Sequence, residues 1–378
     1  MNSSQTSYSQ VESSTVQTDI SHVTGGGENK SCTFTPQTQR IEYIDALRGF
    51  TMILVVMTHV SNFCLCSYNS SYSIIMTQFR MPLFFFISGF VFYKDIIWNK
   101  TSLTAFFKKK IPVQILTPTL FLLLYLHIHT LPITNILLEP YRNGYWFTYI
   151  LFLFFILYVC IEFFTQHLKI KSKGVNLVLM LCCGLCYTIT LGGDLALSKK
   201  LSYVIMTPHW QYFTFFVIGT FAKKYFYHFL RLIDNKYFLF VIIAFFFLSN
   251  IFDKYLFGIN SIIDIIVKHL RSFSGIWIVF AFFRKHSLIF TKEKILGHCL
   301  QYIGRRTLDV YLLHYFFLPW GLASVFTFFA DNNLPSLEIF ASLFIALLVI
   351  SLCLIISNVY RLSPWIEQNM FGVKKKKE

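Results

Sequence analysis

Apolar stretches long enough to span a bilayer recur along this chain from residue 41 onward. A helix that crosses the hydrocarbon core of a membrane needs about 20 predominantly apolar residues. In lipid, helices satisfy their own backbone hydrogen bonds, so such stretches predict transmembrane helices. The sequence therefore predicts an all-α, polytopic membrane helical bundle with about ten helices. They cover approximately residues 44–66, 79–97, 111–131, 145–165, 174–192, 204–222, 236–257, 261–284, 307–330 and 337–360.

The composition argues against a soluble protein. Charged residues make up 13% of the chain, whereas an ordinary globular domain carries about 25%. Hydrophobic residues make up 55%, and the 44 Phe and 21 Tyr residues suit a lipid-facing surface with interfacial aromatic rings. With a mean hydropathy of +0.56, the chain is also too apolar to be disordered over most of its length.

The net charge of +15 would suggest a nucleic-acid partner in a soluble protein, but the positions of the basic residues give another explanation. With a cytoplasmic N-terminus, the ten predicted helices leave 25 Lys and Arg residues in cytoplasmic segments and 4 in outer segments. Cytoplasmic loops of membrane proteins carry such an excess. We therefore expect both termini in the cytoplasm, contacts between basic loops and anionic membrane lipids, and no nucleic-acid partner.

The two ends of the chain differ from its centre. Residues 1–40 are rich in Ser, Thr, Gln and Gly and contain no apolar run, which predicts a disordered polar cytoplasmic tail. They lack the basic start and apolar centre of a signal peptide. We expect the membrane domain to cover residues 41–362 and a basic cytoplasmic tail to cover residues 363–378.

The first predicted helix carries three ionisable residues: Asp45, Arg48 and His59. At 100° per residue, the eleven steps from Arg48 to His59 bring the two side chains within about 20° of each other around the helix. Asp45 lies about one turn before Arg48 on the same side. His59 lies about 16 Å deeper than Arg48 at 1.5 Å per residue. The stripe predicts either a functional polar groove or an interfacial ion pair with a hydrogen-bonded interior histidine.

Two residues of the second predicted helix are candidates for a site. Arg80 lies just inside its outer end, at a depth similar to that of His59, and either binds an anion or extends to the outer headgroups. Ser88, next to Gly89, lies near mid-depth, where small residues also serve helix packing.

Three later segments also carry polar candidates. Trp146 lies at the outer boundary of the fourth helix, where an aromatic belt residue is expected as well. Arg271 belongs to a cationic group with Lys268 and His269, which suggests a bound anion or the partner Asp264. His314 lies in the ninth predicted helix. No spacing of Cys, His and acidic residues indicates a metal site.

Five segments resemble motifs of the acyltransferase-3 family of integral membrane O-acyltransferases. The first helix resembles its opening motif, in which ten residues separate an Arg from a His, here Arg48 and His59. The similarity covers about residues 41–362, with the motifs in the family's order. They are YIDALRGFTMILVVMTHV (43–60), RMPLFFFISGFVFYK (80–94), GYWFTYILF (144–152), QYFTFFVIGTFAKK (211–224) and RRTLDVYLLH (305–314).

The resemblance implies an enzyme of the cell (inner) membrane that transfers a short acyl group from acyl-CoA to a carbohydrate. Acetyl and succinyl are the usual groups, acetyl-CoA is the expected donor, and a surface carbohydrate or its lipid-linked precursor is the expected acceptor. Some members carry a further extracytoplasmic domain, which we do not expect here. No permanently bound cofactor is expected.

The residue types fit this chemistry. Acyl transfer needs a base for the attacking hydroxyl and cations or donors for the oxyanion. His59 is the expected base, Arg48 the expected partner of the CoA phosphates, and Arg80 the expected partner of the acceptor or oxyanion. The residues are compatible with direct transfer and with an acyl-enzyme. The same buried cations would also suit an exporter of polysaccharide or organic anions, or a structural partner without chemistry.

Overall fold

The structure is a computed structural model that describes residues 41–65, 71–196, 198–252, 261–319, 328 and 334–371. Within these ranges the chain is helical and contains no strand. The predicted tail of residues 1–40 lies outside the described residues, as do residues 372–378 of the predicted basic tail.

Sixteen α-helices are described in these ranges. They are α1 (Glu42–Phe63), α2 (Ser71–Phe92), α3 (Lys100–Ile111), α4 (Thr117–Ile128), α5 (Asn135–Leu138), α6 (Trp146–His167), α7 (Ser172–Ala196), α8 (Lys199–Ile205), α9 (Phe213–Lys224), α10 (Phe226–Ile233), α11 (Lys236–Ile251), α12 (Ser261–Lys285), α13 (Ile295–Arg305), α14 (Thr307–Phe317), α15 (Pro335–Tyr360) and α16 (Pro364–Asn369). The 3₁₀ turns are Arg142–Gly144, Thr207–Tyr212 and Ser287–Phe290, and a π-helical turn, Pro112–Leu116, joins α3 to α4.

Seven helical stretches in the described part of the chain are long and apolar enough to cross a membrane. They are Glu42–Phe63, Tyr72–Phe92, Lys100–Ile128, Trp146–His167, Ser172–Leu191, Asp264–Lys285 and Pro335–Tyr360. Helices α10 and α11 meet the same criteria as a pair bent by 70°, which allows up to eight spans. The chain is thus a helical, multi-pass membrane protein, whereas the predicted number of about ten spans and the predicted orientation are not confirmed.

Two predicted spans differ from the prediction for identifiable reasons. The stretch 204–222 is not one continuous α-helix, because Met206 is left-handed (φ 59°) and a 3₁₀ turn precedes α9. A hydropathy window does not detect such a change of helix type. The stretch 307–330 contains α14, but residues 320–327 lie outside the described residues.

Glycines set the closest helix crossings around the site. A Cβ atom at Gly49 of α1 would collide with the carbonyl oxygen of Leu300, and one at Gly304 of α13 would collide with that of Asp45. Gly89 of α2 and Gly219 of α9 make the same kind of reciprocal close approach. Small residues are how membrane helices bring their backbones together. The two crossings hold α1 and α2, the helices that carry the polar candidates, against their neighbours.

A buried ion pair fixes the start of α14 to the end of α15. Arg361 holds Asp309 with both arms of its guanidinium: Nε lies 2.9 Å from Oδ2, and Nη2 lies 2.8 Å from Oδ2 and 2.9 Å from Oδ1. The hydroxyl of Ser357 also donates to the Asp309 carboxylate. Asp309 is 2% exposed and Arg361 13%. The pair sets the position of α14, whose other end carries His314.

Candidate active site

A cleft of about 600 Å³ lies at the end of the bundle where α1 begins. We call this end the inner end and the opposite one the outer end. Four cations line the cleft, Arg48, Lys94, Lys109 and Lys110, and its described lining includes no carboxylate. We call it the basic cleft. Its charge suits a ligand that carries phosphate groups.

Arg48 is held in the wall of the basic cleft by two neighbours. Its Nη2 atom donates to Thr307 Oγ1 at 3.1 Å, and its Nη1 atom lies 4.0 Å from the Oδ1 atom of Asp45. Its side chain is 28% exposed, so the charge reaches the cleft. Asp45 is buried and is not part of the cleft's described lining. Asp45 therefore acts on Arg48, and its predicted contact with substrate stays a prediction.

The segment between α2 and α3 forms the rim of the basic cleft. Trp98 donates its backbone N–H to Gln166 Oε1 at 2.8 Å, and Gln166 Nε2 donates to the Ile96 carbonyl at 3.2 Å. Burial and nearby carboxylates raise the pKa of Tyr93, on the same segment, to about 12, so its phenol is neutral at physiological pH. The amide of Gln166 thus ties this rim to the end of α6.

His59 lies at the opposite end of α1, in a much smaller pocket. This cavity of about 30 Å³ is lined by Met52, Val55, His59, Met81, Phe84, Gly144, Trp146, Phe147 and Tyr311. We call it the histidine pocket. The Nε2 atom of His59 lies 3.2 Å from the Tyr315 hydroxyl, and its Nδ1 atom is buried without a hydrogen-bond partner among the described residues. One ring nitrogen therefore faces the Tyr315 hydroxyl, and the other is left for a ligand.

A second imidazole lies beside the first. The His314 ring is fully buried, with its centroid 5.3 Å from that of His59. Its Nδ1 atom lies 3.0 Å from the Val310 carbonyl and 2.9 Å from the Tyr311 carbonyl. Carbonyl oxygens only accept, so Nδ1 carries the proton and Nε2 is the acceptor of the neutral ring. His314 is therefore next to the candidate base rather than facing lipid.

Arg80 adds a positive charge near His59. Its charge acts on the imidazole and on the phenols of Tyr212 and Tyr315. The Nε and Nη1 atoms of Arg80 are buried and have no hydrogen-bond partner among the described residues. A buried guanidinium with unused donors can bind an anion or a developing oxyanion. This geometry differs from that of an arginine extended to the headgroups.

Trp146 opens the outer side of the histidine pocket. Its ring centroid is 4.1 Å from that of His209 and 5.9 Å from that of Tyr212, with which it stacks. His209 is buried, and neither ring nitrogen has a hydrogen-bond partner among the described residues. Trp146 is half-buried and contributes to the pocket wall. The aromatic-belt interpretation therefore describes at most part of its surroundings.

The turn before α6 holds Tyr315 against His59. Gly144 has φ 97°, and a Cβ atom at this position would collide with the Tyr315 ring. The Tyr311 hydroxyl donates to the Gly144 carbonyl at 3.1 Å, and the Tyr145 hydroxyl donates to the Leu312 carbonyl at 2.8 Å. Two tyrosines thus link this turn to α14. Glycine suits both the backbone angle and the close contact.

The two cavities lie along the same three helices. On α1 the basic cleft is lined by Arg48 and the histidine pocket by Met52, Val55 and His59. On α2 they are lined by Ser88 and Phe84, and on α6 by Leu151 and Phe147, in each case one turn apart. The predicted stripe of α1 therefore runs from one cavity to the other.

Two predicted residues have structural contacts of their own. Ser88 lines the basic cleft, and its hydroxyl donates to the Phe84 carbonyl at 2.8 Å. Arg271 is buried between α12 and α11, where Nε donates to Ser249 Oγ at 3.1 Å and Nη2 donates to the Ser249 carbonyl. Arg271 is not part of the described lining of either cavity. Its predicted contact with substrate stays a prediction.

Sequence reasoning did not single out Tyr315, the hydrogen-bond partner of His59, or Gln114, which lines the basic cleft. Tyr315 directly follows His314, so the adjacent polar pair was a usable signal. Gln114 is a polar residue within an apolar stretch. Pro112 lies two residues before it and Pro118 four residues after it, which was a usable signal of irregular helix.

A multi-pass helical bundle with a cationic cleft and a buried histidine has the features of a membrane-embedded acyltransferase. The chain belongs to the acyltransferase-3 family, since the family model, described as an acyltransferase domain, matches residues 41–357. The family resemblance of the five motifs is thereby confirmed. No curated protein and no solved structure matches the chain.

Proposed function

We propose that this protein transfers a short acyl group, acetyl or succinyl, from acyl-CoA to a hydroxyl of a carbohydrate. The acceptor is a cell-surface carbohydrate or its lipid-linked precursor, and the protein works in the cell (inner) membrane. The observation that carries the proposal is the pair of cavities on α1, α2 and α6, with cations in one and His59 in the other.

The basic cleft is the proposed donor site. Acyl-CoA carries several negative charges on its phosphates, and four cations from three segments of the chain surround the cleft. Arg48, fixed by Thr307, presents a planar set of donors that can bind a phosphate with two hydrogen bonds. The acyl end of the donor then points along α1 toward His59, about 16 Å from Arg48 along the helix axis.

The histidine pocket is the proposed site of chemistry. In the tautomer whose Nε2–H donates to the Tyr315 oxygen, His59 accepts the proton of the acceptor hydroxyl at Nδ1, the nitrogen without a hydrogen-bond partner among the described residues. The hydroxyl oxygen forms a bond to the thioester carbonyl carbon, and the carbon–sulfur bond breaks. The CoA sulfur leaves with the proton from His59. Arg80 and the Tyr315 hydroxyl stabilise the negative charge on the carbonyl oxygen. In this scheme transfer is direct.

Trp146 is the proposed acceptor platform. Its ring is half-buried and lies at the outer side of the histidine pocket. Flat aromatic faces offer sugars a large contact area, while nearby polar groups select their orientation. The acceptor therefore approaches from the outer end and the donor from the inner end.

Acyl-CoA turnover by the purified protein tests the proposal. Protein in detergent is incubated with acetyl-CoA or succinyl-CoA and a set of monosaccharide and lipid-linked acceptors, and released CoA and acylated product are measured. His59→Ala is compared with His298→Ala, which changes an exposed histidine on α13. We expect turnover in the wild type and in His298→Ala, and none in His59→Ala. Transport of an organic anion into proteoliposomes without CoA release would instead support the exporter.

A further inference from the structure

Gln114 lies in an irregular turn of helix and lines the basic cleft. Residues Pro112–Leu116 form a π-helical turn between α3 and α4, closed by the Thr117 N–H, which donates to the Pro112 carbonyl. Proline lacks the N–H of a regular helix and disturbs the hydrogen-bond ladder around it. Single π-helical turns occur often at functional sites, because the wider turn re-aims a side chain. Here Gln114 is the buried residue of the turn.

The side-chain amide of Gln114 is poorly satisfied by the protein. Gln114 is 9% exposed, and its Oε1 atom is buried without a hydrogen-bond partner among the described residues. An unsatisfied amide oxygen in such a position is costly, because burial has removed its hydrogen bonds to water. The terminal torsion of glutamine is soft, so a small rotation turns either amide atom toward the cleft that the residue lines.

The position of Gln114 along the basic cleft indicates which part of a bound donor it contacts. It follows Lys110 by four residues, so it lies about one turn deeper than the cations at the rim. Across the cleft, Leu151 and Ser88 are each one turn from residues of the histidine pocket. If the phosphates of the donor lie at the rim and its thioester lies at His59, the part of the donor between these two groups lies next to Gln114. In CoA this section is the pantetheine arm, which contains two amide groups.

We propose that Gln114 binds an amide of the pantetheine arm and thereby selects a complete CoA thioester over a bare nucleotide. The inference rests on the proposed function of the basic cleft as the donor site. One ligand N–H donates to Oε1, and the Nε2 group can donate to the neighbouring ligand carbonyl. The buried Oε1 atom thereby gains a hydrogen-bond partner, which it lacks among the described residues.

Comparing the binding of two ligands distinguishes a contact of Gln114 with the pantetheine arm from a general effect on the basic cleft. Binding of acetyl-CoA and of adenosine 3′,5′-bisphosphate, which lacks the pantetheine arm, is measured by calorimetry on purified protein in detergent. Gln114→Met keeps the side-chain size but removes the amide. We expect about fivefold to tenfold weaker acetyl-CoA binding and unchanged bisphosphate binding. Lys109→Gln is the comparison variant, and we expect it to weaken both ligands alike.

The outcomes are distinguishable from those that test the function itself. Equal binding of acetyl-CoA by wild type and Gln114→Met would overturn the role of Gln114 alone. A variant that loses both ligands to the same degree would also overturn it, because the amide would then serve the cleft as a whole. A wild type that binds neither ligand would overturn the donor site, and the role of Gln114 with it.

Discussion

The ion pair between Asp309 and Arg361 should respond asymmetrically to removal of its two partners. Arg361→Met leaves the Asp309 carboxylate, 2% exposed, with its hydrogen bond from Ser357. Leaving an uncompensated buried charge costs about 3–5 kcal/mol. Arg306 lies near this carboxylate and bonds Ser357 at 3.0 Å, so the lower end of the range, about 3 kcal/mol, is expected. Asp309→Asn leaves Arg361 with Glu367 at 3.4 Å and a path to solvent, which costs about 1–2 kcal/mol.

The double variant provides the sharper test. With both charges removed, Asp309→Asn combined with Arg361→Met should cost about as much as Asp309→Asn alone, a coupling of about 3 kcal/mol. The free energy of unfolding is measured by dodecyl sulfate titration of the purified protein, followed by tryptophan fluorescence and circular dichroism. If Arg361→Met cost less than Asp309→Asn, or if the two effects were additive, the reasoning about this buried pair would be refuted.

Three further predictions concern the site and the topology. His59→Ala should lower turnover by at least about 10²-fold and retain acetyl-CoA binding. Arg48→Ala should weaken acetyl-CoA binding, and Arg48→Lys should restore it in part. Calorimetry measures binding and CoA release measures turnover, and the reverse pattern would mean that the two roles are misassigned. Gly144→Ala should lower turnover because its methyl group displaces Tyr315. Gly184→Ala, where a Cβ meets nothing within 4 Å, should leave turnover unchanged; equal rates in the two variants would contradict this account of the turn. A reporter that is active only outside the cytoplasm, fused to the C-terminus, should give no signal, and a strong signal would refute the predicted orientation.

Part of the site follows directly from helix geometry. The angular arithmetic on the first helix puts Arg48 and His59 on one stripe, and the structure finds them in two cavities along the same side of α1. The helical class follows as reliably, because a chain this apolar has few other ways to satisfy its backbone in lipid. Both features depend on local periodicity or on composition, which a single sequence contains in full.

The remaining features depend on contacts between distant segments. The Tyr315 hydroxyl reaches His59 across 256 positions, and no local pattern indicates that pairing. The π-helical turn at Gln114 and the left-handed Met206 change the course of the chain without changing its hydropathy. Arg271 illustrates the converse, since its charge within an apolar stretch suggested a ligand, whereas its donors bond Ser249. The free-energy cost of a charge within the membrane indicates that the residue is important, but it does not distinguish ligand binding from a structural role.

The apolar lining of the histidine pocket has a consequence for the membrane itself. Met52, Val55 and Phe147 are buried and line this pocket. A continuous file of water through a protein in an energised membrane would conduct protons and dissipate the electrochemical gradient. Hydrophobic constrictions oppose this by dewetting. With donor and acceptor bound as proposed, the protein would hold two substrates from opposite ends of the bundle while the apolar pocket wall excludes a continuous file of water.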